Sequence, residues 1–207
     1  MERQLIMNYQ LSIINFMKKI IMTLAAVLCC AMTMTVFTAC GDDDDEDNKK
    51  PEDVATSGVM ECQLYTDDET LGSFDFYVKY YDANGNVKNE KVVWTDQTTL
   101  DDLTVRTWTK KVVQKLPATL GILVEIKAKD GIDPNGKYIL SRGYNITFTS
   151  FTASGKRIDT TIPNKDYTSS RNKVGMLDEM LKEKGRPLDI IYKYDVNGKG
   201  TGTSKWE

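Results

Sequence analysis

Alternation of apolar and polar side chains along short segments is the feature that most constrains the fold of this chain. From Phe74 to Tyr80 the even-numbered residues are apolar or aromatic, and from Asp75 to Tyr81 the odd-numbered residues carry polar groups. Residues 122–129 and 144–149 show the same two-residue period. Because successive side chains of a strand point to opposite faces, each segment predicts a strand with one dry and one wet face. This pattern favours antiparallel sheets, since parallel strands covered on both sides read as continuous apolar runs.

Further strands are predicted from shorter β-rich segments, at 60–65, 87–94, 105–116, 156–162, 188–194 and 201–206. Residues 104–115 could also be drawn as a helix, but their many β-branched side chains favour a strand. Three Asp-x-Asn-Gly sequences, at 82–85, 133–136 and 195–198, predict hairpin turns, because Asn and Gly both tolerate positive φ. Ser154-Gly155 predicts a fourth turn.

One short helix is predicted near the C-terminus, at residues 172–184. Ser169 or Ser170 would cap it, Gly185 and Pro187 would end it, and its apolar face would consist of Val174, Leu177, Met180 and Leu181. Eight or nine short strands with a single late helix predict a mainly β domain, an antiparallel two-sheet sandwich of immunoglobulin-like type. A barrel is the alternative.

The N-terminal segment reads as an export signal and not as part of the domain. Lys18-Lys19 precede an apolar stretch at 20–36, which is short for a membrane-spanning helix and is followed at once by small residues and acids. Met17 is the expected start, because it places the two lysines directly after the initiator. Residues 1–39 are therefore predicted to be removed as a signal peptide.

The sequence Phe37-Thr38-Ala39-Cys40 resembles the lipobox of bacterial lipoproteins, with Phe in place of the usual Leu. The resemblance implies that Cys40 is lipidated and becomes the mature N-terminus. Two or three acyl chains would then anchor the protein to a membrane. An ordinary secreted protein cut after Ala39 is the alternative.

Six consecutive acidic residues, 42–47, follow the cysteine. They resemble the export signal of surface lipoproteins of the Bacteroidetes, which implies display on the outer face of the outer membrane. They also read as a solvated tether, since like charges repel. We therefore predict a lipidated cysteine and flexible acidic tether at 40–58 and a single domain at 59–207. This domain has 22 basic and 21 acidic residues, a net charge of +1 that argues against nucleic acid as a partner.

The residue types narrow the possible chemistry. The chain contains no histidine, which excludes Ser-His-Asp and Cys-His catalysis and histidine-bound zinc. A carboxylate pair is the main route to catalysis that is left, but the sequence singles out no such pair, so we expect a non-catalytic protein without a cofactor. The three Asp-x-Asn-Gly loops resemble the first half of a calcium-binding loop. Asp130 with Asp133 and Asn135 is the richest of these weak candidates, and hairpin turns are the preferred interpretation.

Aromatic side chains give the remaining functional hypothesis. Tyr77 and Tyr81 fall on the polar face of their strand, and Trp94, Trp108 and Trp206 have no assigned place in the core. Such residues can form a platform that stacks on sugars or peptides, although cross-strand packing is the simpler explanation for each of them. We therefore predict a surface-displayed module that binds an extracellular glycan or protein. The alternative is an assembly component, similar to a fimbrial subunit, that pairs through a sheet edge.

Overall fold

Two antiparallel β-sheets make up the part of the chain that the computed structural model describes, residues 54–100, 103–162 and 166–206. The predicted signal segment, Cys40 and the tether up to residue 53 lie outside this part. The strands are β1 (Ala55–Asp67), β2 (Phe74–Tyr81), β3 (Val87–Lys91), β4 (Asp96–Leu100), β5 (Leu103–Lys115), β6 (Ala118–Ala128), β7 (Ile139–Thr152), β8 (Arg157–Thr161), β9 (Asp166–Arg171), β10 (Leu188–Tyr194) and β11 (Gly200–Ser204). Between them lie α1 (Asp68–Ser73) and α2 (Leu177–Lys184).

The six-stranded sheet has the order β4-β5-β1-β7-β8, and β9 pairs with the first half of β7 while β8 pairs with its second half. The five-stranded sheet has the order β11-β10-β6-β2-β3. Their inner faces share one core, in which Met60 and Phe148 of the first sheet and Phe74 and Ile122 of the second are 0 % exposed. The prediction of a mainly β fold with two antiparallel sheets is confirmed, and the described strands belong to two separate sheets and not to one closed barrel.

The prediction of a single helix is wrong, because two helices are present in the described residues. The additional helix is α1, which is only 6 residues long. Asp67 caps it, since its Oδ1 accepts a hydrogen bond from the Thr70 amide at 2.7 Å. The Thr70 hydroxyl in turn accepts from the Ser141 amide at 2.8 Å, which fixes α1 to β7.

The predicted start of the second helix is also wrong, although its end at Lys184 is confirmed. Ser169 and Ser170 lie in β9, and Val174 is exposed. Gly175 has a φ of 75°, a left-handed conformation that interrupts a helix, so α2 begins only at Leu177. No helix in the described ranges combines the length and apolar character needed to cross a bilayer.

Two of the three Asp-x-Asn-Gly sequences are hairpin turns, joining β2 to β3 and β10 to β11. The turn at 133–136 connects β6 to β7, which belong to different sheets, so the hairpin prediction is wrong there. All three use the same local bonds. The Asp side chain accepts the Asn amide at 2.8–2.9 Å, and the Asp carbonyl accepts the Gly amide at 2.9–3.1 Å. Ser154-Gly155 forms the predicted turn between β7 and β8.

Candidate functional site

The five aromatic residues singled out from the sequence occupy different environments. Trp108 lies in the core, where it is 8 % exposed, and Trp94 packs edge-on against Phe76 with ring centroids 5.1 Å apart. These two are packing residues and do not form a platform. Tyr77 lies on the outer face of the five-stranded sheet, where the ammonium group of Lys127 is 5.1 Å from its ring centroid.

Tyr81 and Trp206 come together on this outer face. Their rings stack with centroids 4.7 Å apart and an interplanar angle of 21°. Lys79, on the same strand as Tyr81, places its Nζ 4.7 Å from the centroid of the Trp206 ring, within range of a cation–π interaction. Trp206 is only 7 % exposed, so it backs Tyr81 and does not itself line the surface. We call the stacked pair Tyr81 and Trp206 the aromatic shelf.

The strand register explains why Trp206 lies where it does. Leu123 of β6 points to the outer face, and its register neighbours are Lys79 on β2 and Asp189 on β10. The Trp206 ring lies under Lys79, and the Trp206 amide donates a 2.8 Å hydrogen bond to Oδ1 of Asp189. The indole therefore lies over Leu123, which accounts for an outward-facing leucine that is only 6 % exposed.

A groove of about 1010 Å³ borders the aromatic shelf. Tyr81 and the turn residues 83–85 form one side, and residues 113–115 with Pro117, around the β5–β6 turn, form another. Ser57, Thr119 and Lys193 complete the lining. The lining therefore combines one aromatic ring with amide, hydroxyl and ammonium groups drawn from five strands and two turns.

The buried side chain of Gln114 holds the two sides of the groove together. Its Nε2 donates to the Asp82 carbonyl at 2.7 Å, and its Oε1 accepts from the Thr119 amide at 3.0 Å. One amide thus ties the β2–β3 turn to the start of β6. The two sides of the groove are therefore held in place by a buried side chain whose donor and acceptor are both hydrogen-bonded.

The β2–β3 turn that borders the groove is organised by the carboxylate of Asp82. Hydrogen bonds from the backbone amides of Asn86 and Asn84, each 2.9 Å long, lower the pKa of Asp82, and Lys88 at 3.6 Å adds to this effect. Gly85 has a φ of 79°, a left-handed conformation that glycine adopts without steric cost. The turn therefore presents Asn84 to the groove in a fixed conformation.

At the calcium candidate, the polar groups of Asp133 make hydrogen bonds near the turn. The Asp133 carboxylate accepts the Asn135 amide within its own turn, and the Tyr138 hydroxyl donates to the Asp133 carbonyl at 3.0 Å. Asp130, Asp133 and Asn135 are all exposed. No cluster of three or more Asp, Glu, Cys or His side chains that could hold a metal occurs among the described residues.

Sequence reasoning identified Tyr81 but missed most of the groove. It assigned no functional role to Gln114, Lys115, Thr119 and Lys193, which belong to three different strands. The Asn-Gly signal located the turn at 82–85, yet nothing in the sequence indicated that this turn faces the β5–β6 turn. The sequence matches no protein-family model, and no curated protein or solved structure is significantly similar to it.

Proposed function

We propose that this protein is a non-catalytic lipoprotein, anchored in the outer membrane and displayed on the cell surface, whose β domain binds an extracellular glycan. A protein ligand is the second possibility. The observation that carries the proposal is the stacked pair of Tyr81 and Trp206 beside the groove.

Sugar rings have apolar C–H faces that pack on aromatic rings, and hydroxyl edges that need hydrogen-bond partners. The groove offers both kinds of contact. Tyr81 supplies an aromatic ring, and Asn84, Thr119 and Lys193 supply donors and acceptors along the lining. Trp206 supports Tyr81 from one side, so the ring is held in place before any ligand arrives, which lowers the entropic cost of binding.

The composition of the groove also supports binding over hydrolysis. A glycosidase needs two carboxylates on opposite sides of the scissile bond. The described lining of the groove contains neither aspartate nor glutamate. We therefore propose ligand capture as the role of this groove.

Assembly through a sheet edge remains the alternative function. The exposed edge strand β3, Val87–Lys91, has two lysines and a glutamate, and charged edges discourage strand pairing. The opposite sheet favours assembly more, because Ile158 on β8 and Ile162 just after it are 38 % and 56 % exposed. A concentration-dependent dimer that is lost on Ile158→Lys would support assembly.

The finer description of the fold as immunoglobulin-like rests on strand number and alternating polarity. In the constant-domain order ABED and CFG the first strand lies at a sheet edge, whereas β1 is central here. We therefore propose a sandwich of the same general kind without that strand order.

Lipidation is tested by labelling cells with an alkyne-tagged fatty acid. We expect wild-type protein to carry the label and to fractionate with the outer membrane, and Cys40→Ala to lose both properties. Cys62→Ala is the matched control, because Cys62 is buried in the domain. Protease treatment of intact cells tests surface display, and protection of the domain from protease would contradict it.

Binding is tested on a glycan array, followed by calorimetry with the best ligand. We expect Tyr81→Ala to weaken binding about three- to ten-fold, in line with the energy of aromatic stacking. Tyr77→Ala is the matched control, because Tyr77 lies on the same face of β2 but outside the groove lining. Equal losses from both variants would place the site elsewhere, and a folded domain that binds no glycan would contradict the proposal.

A further inference from the structure

The charged side chains that line the groove are all positive. Lys115 at the end of β5 and Lys193 on β10 both line it and are both exposed. Lys79 adds a third ammonium group above the aromatic shelf. Among the residues that the structure describes, no carboxylate lines the groove.

These lysines differ from their neighbours on the same strands. On β5, Lys110 lies 3.7 Å from a carboxylate oxygen of Glu90, and Lys111 lies 2.9 Å from one of Glu61. Lys115 has no such partner within 4.0 Å among the described residues, and the same holds for Lys79 and Lys193. The unpaired ammonium groups of these strands are therefore concentrated at the groove and the shelf.

The acidic residues nearest along the chain to Lys79 and Lys193 make local bonds. Asp82 accepts the Asn84 and Asn86 amides and faces Lys88. Asp195, two residues after Lys193, accepts the amides of Asn197 and Lys199 at 2.8 and 2.9 Å. Both carboxylates thus accept hydrogen bonds within their own turns. The ammonium groups of the lysines therefore remain available to a ligand.

We propose that the ligand of this groove is an acidic glycan, one whose sugar units carry carboxylate or sulfate groups. This inference rests on the proposed function of the groove and adds the chemical class of its ligand. The C–H face of a sugar would pack on Tyr81, while Lys115 and Lys193 would pair with its anionic groups.

The test uses two matched pairs of polymers and a peptide. Polygalacturonate is compared with its carboxyl-reduced form, and chondroitin sulfate with its desulfated form, while poly-glutamate serves as a charged polymer without sugar. The purified domain is titrated with each by calorimetry at low and at raised salt. We expect binding to at least one acidic glycan and weaker binding to the neutral or desulfated partner. We also expect affinity to fall with salt, because exposed ion pairs are screened.

Charge-neutral variants locate the contacts. Exposed ion pairs are modest, so we expect Lys115→Gln and Lys193→Gln each to weaken binding about three-fold and the double variant about ten-fold. Lys182→Gln on α2 is the matched control, since α2 adjoins the far end of β6, where Gly185 accepts the Ile126 amide. Circular dichroism and the melting temperature establish that all variants remain folded.

The outcomes separate this inference from the proposed function. Equal binding of the carboxyl-reduced and acidic polymers, or no effect of the double lysine variant, overturns the acidic ligand and leaves glycan binding intact. A folded domain that binds only poly-glutamate, or nothing on the array and in these titrations, overturns both.

Discussion

Gln114 donates a hydrogen bond of 2.7 Å to the backbone carbonyl of Asp82, across the gap between the two β-sheets. The same side chain accepts the Thr119 amide, so it is satisfied at both ends while only 6 % exposed. This single amide sets the separation of the two turns that border the groove.

Gln114→Ala should destabilise the domain by about 1–3 kcal/mol, because the Thr119 amide loses its side-chain acceptor and the Asp82 carbonyl keeps only its bond from Gly85. The loss is measured by urea unfolding. Hydrogen exchange of the Asn84 and Asn86 amides should become faster, since the turn loses its tie to β6. Thr109→Ala, at an exposed position on the same strand, is the control and should change neither quantity. Unchanged exchange in Gln114→Ala would show that the turn is held by its own bonds alone.

Trp206→Ala should destabilise the domain by about 2–3 kcal/mol, because it uncovers Leu123 and removes the stacking partner of Tyr81. Trp206→Phe should cost about 1 kcal/mol or less. Phenylalanine keeps the ring, and the indole Nε1 is buried without a hydrogen-bond partner among the described residues, so its removal loses no bond. Thermal and urea unfolding measure both effects. An equal loss in the two variants would mean that the indole nitrogen has a role that the packing does not reveal.

Asp82 should make the groove sensitive to acid. Its pKa is lowered in the folded state, chiefly by the Asn86 amide, so its contribution to stability is present above the ordinary aspartate pKa. That contribution is lost as the pH falls below this value and through the folded pKa. A carbon-detected NMR titration should give a midpoint for Asp82 below that of an ordinary aspartate, and Asp82→Asn should remove this titration. A midpoint at or above the ordinary value would contradict the observed turn geometry.

Cys62 should be unreactive in the native protein. It is 3 % exposed, and burial raises the pKa of its thiol well above the ordinary cysteine range. We expect a thiol reagent such as Ellman's reagent to label it at pH 8 only when the structure around it opens. The labelling rate should therefore equal the rate of local or global unfolding. Fast labelling of the folded domain would show that β1 opens readily.

The clearest strand predictions are those in which burial alternates, and two mainly polar strands were not predicted. The segments that form β2, β6 and β7 alternate because one face packs in the core, and all three were correctly predicted to be strands. β4 and β9 were not predicted, because Asp96–Leu100 and Asp166–Arg171 are mainly polar and lie at the margins of their sheet. Their strand conformation comes from backbone pairing with β5 and β7, which no periodicity reveals.

The site was less predictable than the fold for a related reason. Tyr81 and Trp206 each stood out as aromatics without a core role, but their stacking depends on a tail that turns back over Leu123 after β11. The groove depends further on the register of β2, β6 and β10, which places residues from distant segments side by side. Local patterns do not contain this information, because strand order decides it.

The central position of β1 has a consequence for how the chain is made. Its two edges pair with β5 and β7, which are synthesised long after it. Until those strands emerge, β1 exposes its apolar residues and both of its backbone edges, and such non-local pairing is slow to form. The domain should therefore depend on protection from aggregation between its synthesis and the completion of the six-stranded sheet.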